Sequence, residues 1–203
     1  MAQLILIPTA QTVWRAQGRL AGDTDLPLDE YGHRQAVAMA ESIAPLRPTV
    51  LHCGAERTAK QTATIIGHDL KLKVKSEKEL RELDLGLWEG LTLEDLRERF
   101  GRVYRQWRAD FFSVEPPEGE SAADAASRLF AGVDRILRKH QSERIGLVLG
   151  QFAYAIVRCQ RADGSYDCFW DYVDGEANWQ FVEHPRVELL EPRAAPESPE
   201  PLE

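Results

Sequence analysis

The chain has 203 residues, enough for one sizeable domain with its own core. Its 43% apolar and 29% charged composition is that of a globular protein. A net charge of −8 argues against nonspecific nucleic-acid binding and against docking on anionic membranes, while leaving room for a local basic pocket.

The chain opens with an apolar run, Leu4 to Ile7, that predicts a buried strand over residues 3–8. Pro8, Thr9 and Ala10 form its tip. Residues 18–27 read as a loop, with turn chemistry at Gly22-Asp23-Thr24-Asp25. Ala36, Met39, Ala40 and Ile43 follow helical spacing, and Pro45 and Pro48 stop that helix. "TVLHC" predicts a second strand. "ERTAKQTATIIGHDL" predicts a second helix, with Ala59, Ala63 and Ile66 on one face. "KLKVKSEKEL" alternates as an edge strand would.

Thr92, with Asp95 three positions later and Gly101 beyond, marks a short helix, and "VYRQWRADFF" predicts another. Ser121 caps a long helix over about 122–140. "RIGLVLG" predicts a third apolar strand and "FAYAIVRCQ" a buried helix. "NWQFVEH" and "RVELLE" predict a hairpin pair around Pro185. Residues 192–203 are rich in Pro and Glu and predict a disordered tail after a domain spanning 1–191.

Strands alternating with helices predict a three-layer α/β/α sandwich with a mostly parallel sheet. Ligands bind such sheets beyond the carboxyl ends of the strands. Three tips therefore matter most: Pro8-Thr9-Ala10, His52-Cys53-Gly54 and Gly150-Gln151-Phe152.

Cys53, Cys159 and Cys168 are odd in number and carry no CxxC spacing, so neither a disulfide framework nor a zinc site is expected. His33, His68, His140 and His184 show no spacing that suggests a metal, and no metal or cofactor is expected. The start of the chain lacks the features of a signal peptide, and no apolar run reaches membrane-spanning length. The expectation is a cytoplasmic protein.

In order and spacing, "GRLAGDTDLPLDEYGHRQA", "ERTAKQTA", "LRELDLGLWEGLTLEDLRERF", "PPEGESAADAASRL" and "LVLGQFAYAIV" resemble the phosphoglycerate mutase-like branch of the histidine phosphatase superfamily. The resemblance covers nearly the whole chain before the tail. It implies a phosphohistidine nucleophile at the first strand tip, a neighbouring phosphate-binding arginine, a second arginine, a second histidine and a glutamate proton donor. Here the two histidine positions fall on Thr9 and Gln151, and the first arginine position falls on Pro8. The asparagine of the family's TxWN falls on Arg15. Carried over by resemblance are Glu82 as a remnant proton donor and Arg57 as a phosphate arginine, with Arg15 a further candidate for anion binding.

Phosphohistidine chemistry needs an imidazole lone pair in line with phosphorus. A threonine without a base is a poor substitute, and Pro8 also lacks a backbone donor. A Cys53–His52 pair is disfavoured, because adjacent residues of a strand face opposite ways. The leading expectation is a catalytically inactive pseudophosphatase that binds a small anion, such as phosphate or a phosphate ester, or a protein partner. The alternative is a phosphomonoesterase with a remodelled, non-phosphohistidine site. A homodimer is possible by resemblance; nucleic acid and membrane are not expected partners.

Overall fold

The computed structural model describes residues 2–175 and 178–185. In chain order its elements are β1 (Gln3–Pro8), α1 (Val13–Ala16), α2 (Glu30–Ile43), β2 (Val50–Cys53), α3 (Arg57–Leu70), β3 (Val74–Ser76), α4 (Leu93–Arg99), α5 (Gly101–Ala109), α6 (Ala122–Lys139), β4 (Arg144–Leu149), α7 (Gln151–Arg158), α8 (Phe169–Asp174) and β5 (Gln180–Val182). The strands form one sheet in the order β3-β2-β4-β1-β5. All pairings are parallel except that of β5, which runs antiparallel to β1 with Ile5 opposite Phe181.

Strand alternation sorts the core into two layers. Ile5, Ile7, Leu51, Cys53 and Val148 face α2 and α3, where they meet Met39, Ile43, Ala63 and Ile66. Leu4, Leu6, Ile145, Leu147 and Leu149 face the other way, toward Leu129, Val133 and Ile136 of α6 and the buried side chains of α7. Helices thus cover both faces, which is why the strands read as continuous apolar runs. The sandwich and its mostly parallel sheet are as expected.

The expected capping signals are in place. Thr92 and Asp95 form a reciprocal capping box, and Ser121 Oγ accepts from Asp124 N–H at 3.0 Å. "NWQFVEH" supplies β5, which pairs with β1. "RVELLE" and the predicted tail lie outside the described residues. α1, α8 and a π-turn at Cys159–Asp163 are additions that the pattern did not predict. Among the described residues, no helix is long and apolar enough to cross a membrane.

Candidate functional site

A cleft opens at the carboxyl ends of β1, β2 and β4. Its cavity of about 40 Å³ is lined by Thr9, Thr12, Arg15, Glu56, Thr58, Glu82 and Gln151, among others. The tips of β1 and β4 line it through Thr9-Ala10 and Gly150-Gln151-Phe152, whereas the chain after β2 reaches it through Glu56 and Thr58 rather than through His52-Cys53-Gly54.

Glu82 forms the floor. It is 4% exposed and its carboxylate accepts three backbone N–H groups: Leu83 at 2.7 Å, Phe152 at 2.8 Å and Ala153 at 2.8 Å. Phe152 and Ala153 belong to the first turn of α7, whose unpaired N–H groups and dipole favour an anion. The protein's own carboxylate fills that place. Gly150 makes room for it, since a Cβ there would lie 2.4 Å from Glu82 Oε2.

The loop that carries Glu82 is held from behind by Arg128. Its guanidinium pairs with Glu120 and donates to the carbonyls of Glu79 at 3.0 Å and Arg81 at 2.9 Å. Burial pushes the Glu82 carboxyl up, to about 7, and the three N–H donors only partly oppose it. The nearby Glu56 carboxylate adds to the rise.

Glu56 is the second buried acid. It precedes α3, is 7% exposed, and neither carboxylate oxygen has a hydrogen-bond partner. Burial raises its pKa too; the backbone amides of Glu56 and Glu82 lie close enough to offset part of that. Sequence reasoning missed Glu56. A glutamate beside an arginine at a helix start ordinarily signals solvent, and nothing local marks it as buried.

The expected site residues separate. Thr9 is buried in the cleft wall, and its backbone N–H is spent on Leu149 O at 2.9 Å. The N–H of Ala10 is spent on Thr62 Oγ1 at 3.1 Å. Arg15 lines the cleft, half-buried, at the end of α1. Gln151 lines it as well, but its side-chain amide donates to Val173 O and so ties α7 to α8. Arg57 stands apart: its side chain is exposed and outside the cleft lining, while its backbone N–H donates to Asp25 Oδ1 at 2.6 Å. Thr58, one residue on, lines the cleft instead, with its hydroxyl donating to Leu26 O. No Arg57–Glu82 ion pair forms among the described residues.

His52 and Cys53 are both buried and on opposite faces, as the strand demands. Cys53 packs beneath α3, and burial pushes its thiol up to about 12, which leaves it unreactive. Half-buried Asp23, Asp84 and Glu89 gather near the cleft rim, where Arg81 and Thr24 share their charge.

Comparison with known proteins agrees with this architecture. The profile of the histidine phosphatase superfamily (branch 1) matches residues 4–186. Phosphoserine phosphatase 1 of Hydrogenobacter thermophilus is 25% identical over 182 residues, covering 90% of this chain and 86% of that protein. The metal-independent phosphoserine phosphatase of Arabidopsis thaliana is 29% identical over 151 residues, covering 73% and 63% of the two chains. Among solved structures, a mycobacterial glucosyl-3-phosphoglycerate phosphatase complexed with VO3 superposes with a TM-score of 0.78 at 25% identity, covering 92% of this chain and 97% of that one.

Proposed function

The chain belongs to the histidine phosphatase superfamily, and from that premise we propose that its cleft hydrolyses phosphate monoesters slowly, by direct attack of water and without a phosphohistidine. One observation carries the reading: Glu82, a buried carboxyl whose pKa lies near neutrality, sits at the converging strand tips. The names of the relatives favour the same chemistry over an inert fold.

In this reading Glu82 is the proton donor. Water attacks phosphorus, the bond from phosphorus to the ester oxygen breaks, the departing oxygen takes the Glu82 proton, and a proton of the attacking water returns to Glu82 to restore the acid. Inorganic phosphate and an alcohol result. Burial, with a smaller contribution from nearby Glu56, keeps the Glu82 carboxyl protonated near neutral pH. Arg15, one of two arginines lining the cleft together with Arg19, is the cation assigned to the phosphate oxygens. General acid catalysis of this kind is worth about 10²–10⁴-fold. The reading therefore commits to slow turnover.

A second reading, a binding protein without turnover, is favoured by the donors already spent. The α7 N–H groups hold Glu82, the β1 tip N–H groups hold Leu149 and Thr62, and Gln151 holds Val173. On this reading a small anion or a protein partner is bound and released unchanged.

Purified protein assayed against a panel of phosphate monoesters separates the two. Hydrolysis above buffer, abolished by Glu82→Gln and weakened by Arg15→Ala, supports the enzyme. No hydrolysis, with phosphate or vanadate still bound, overturns it in favour of the binding protein. Activity that appears only when Pro8→Arg, Thr9→His, Ala10→Gly and Gln151→His are combined would also favour the second reading.

A further inference from the structure

The cleft holds one residue that packing and hydrogen bonding do not account for. Glu56 is 7% exposed and lines the cleft, yet among the described residues no donor reaches either of its carboxylate oxygens. A buried carboxylate without protein donors costs stability, and such a group calls for a cause outside the fold. Helix formation is not that cause, since Glu56 stands at the start of α3 but its side chain caps nothing.

Two neighbouring strand ends set its place. Cys53 of β2 pairs with Val148 of β4, and the Gly54 N–H still donates to Val148 O at 3.2 Å, so Gly54 and Gly150 follow adjacent strands. A carboxylate rests against each glycine. A Cβ on Gly54 would lie 2.4 Å from both Glu56 oxygens, and a Cβ on Gly150 would lie 2.4 Å from Glu82 Oε2. The two acids are thus neighbours in one cleft, and the Glu56 charge is felt at Glu82.

Their lone pairs differ. The Glu82 carboxylate already accepts three backbone N–H groups. Three further polar groups of the cleft are committed too: Thr12 Oγ1 accepts from the Arg15 N–H, the Thr58 hydroxyl donates to Leu26 O, and the Gln151 amide donates to Val173 O. Glu56 keeps uncommitted acceptor lone pairs, which is what an attacking water needs in order to lose its proton. The cavity of about 40 Å³ is on the scale of a few waters, each needing roughly 10–15 Å³.

We propose that Glu56 is the general base of this cleft, taking a proton from the water that attacks phosphorus. The proposal rests on the direct-water reading above and gives the water's proton its route back to Glu82. The water oxygen bonds to phosphorus while its proton passes to a Glu56 oxygen. The bond from phosphorus to the ester oxygen breaks, and the departing oxygen takes the Glu82 proton. Glu56 then hands its proton to Glu82, which restores both groups. The pair carries one proton between them before and after the reaction, as neighbouring carboxyls that resist a double charge do. Glu82, the more deeply buried, holds it at rest.

The test is Glu56→Gln and Glu56→Ala, assayed on the phosphate ester panel, with vanadate binding and urea unfolding measured on the same proteins. Both variants should lose about 10²–10⁴-fold in kcat, with KM little changed, for every ester that the wild type hydrolyses. Formate should restore turnover to Glu56→Ala, whose truncated side chain leaves room for it, and not to Glu56→Gln; Glu56→Ser takes the place of the alanine variant if that fails to fold. Glu56→Gln should bind vanadate and unfold at an equal or higher urea concentration, because it removes a buried charge that the fold leaves unpaired. Turnover that persists in Glu56→Gln, a loss carried by KM alone, a loss confined to esters bearing an ammonium group, or a loss that formate does not relieve overturns the base while leaving the direct-water reading in place. A wild type that hydrolyses none of the esters overturns that reading and the base with it.

Discussion

Replacing Glu82 by Gln removes a titration that the fold has displaced. Burial raises this carboxyl from its ordinary 4.5 to about 7. Between those two values the folded chain keeps a proton that the unfolded chain has released. Stability from this group is therefore full below about pH 4.5 and falls as pH rises toward 7. At about 1.4 kcal/mol per unit, the loss is on the order of 3 kcal/mol. The variant holds no such proton, so that slope should vanish. The amide has its own cost, because its –NH2 group faces one of the three N–H donors and leaves it unpaired, about 1–3 kcal/mol. Urea unfolding at pH 5 and pH 8 should then show the variant less stable at pH 5 and equal or more stable at pH 8. The difference between wild type and variant isolates this group from Glu56, which has the same sign, and from Glu77, whose pKa is lowered. Parallel curves for the two proteins from pH 5 to pH 8 would refute the assignment of a displaced proton to Glu82.

Arg57→Ala should leave stability within about 0.5 kcal/mol and turnover unchanged, since the side chain is exposed and outside the cleft; unfolding curves and ester hydrolysis check both. Gly86→Ala should cost about 2–3 kcal/mol in urea unfolding, because φ is +49° and a Cβ would sit 2.2 Å from Pro117 O. Arg161→Ala should cost about 3–5 kcal/mol, since Arg161 is fully buried against Asp134 at 2.7 Å and lies over the Phe130 ring; adding Asp134→Ala should recover part of that loss. Phosphate should bind more tightly as pH falls from 8 to 6, because Glu82 then takes up its proton and the cleft sheds a negative charge; calorimetric titration showing the opposite trend would contradict this.

The layers were legible because burial leaves a plain mark. β1 and β4 are apolar at every position after the first, and α6 carries an apolar stripe behind a serine cap. α1 and α8, at 4 and 6 residues, are too short to show a period, and contacts made by the rest of the fold hold them. At the site, Thr9 and Gln151 were placed by their positions at strand tips, and Glu82 by the order of blocks that resembles the family. Arg57, Glu56 and Thr58 were not. Successive residues at a helix start point about 100° apart, so one position of register decides which faces the cleft. That register is set by Asp25 binding the Arg57 amide and Leu26 receiving the Thr58 hydroxyl. Both partners come from a distant loop, and a linear reading of the helix cannot supply them.

The same logic links the two carboxylates to the residues around them. A parallel α/β sheet builds an anion site at its strand tips whether or not a ligand is bound, because helix N–H groups converge there. With Pro8 and Thr9 on one tip and Gln151 on another, little positive charge faces those donors. Glu82 answers them from within, and α7 begins on its carboxylate. Burial raises the pKa of both Glu82 and neighbouring Glu56, and Glu56 adds to the rise at Glu82. Any incoming phosphate must compete with a carboxylate already bonded three times. It meets the least resistance when that carboxylate carries a proton, and that proton is the one the proposed reaction transfers to the leaving oxygen. In the proposed reaction, binding and proton transfer both depend on the protonation of Glu82 and should share one pH dependence.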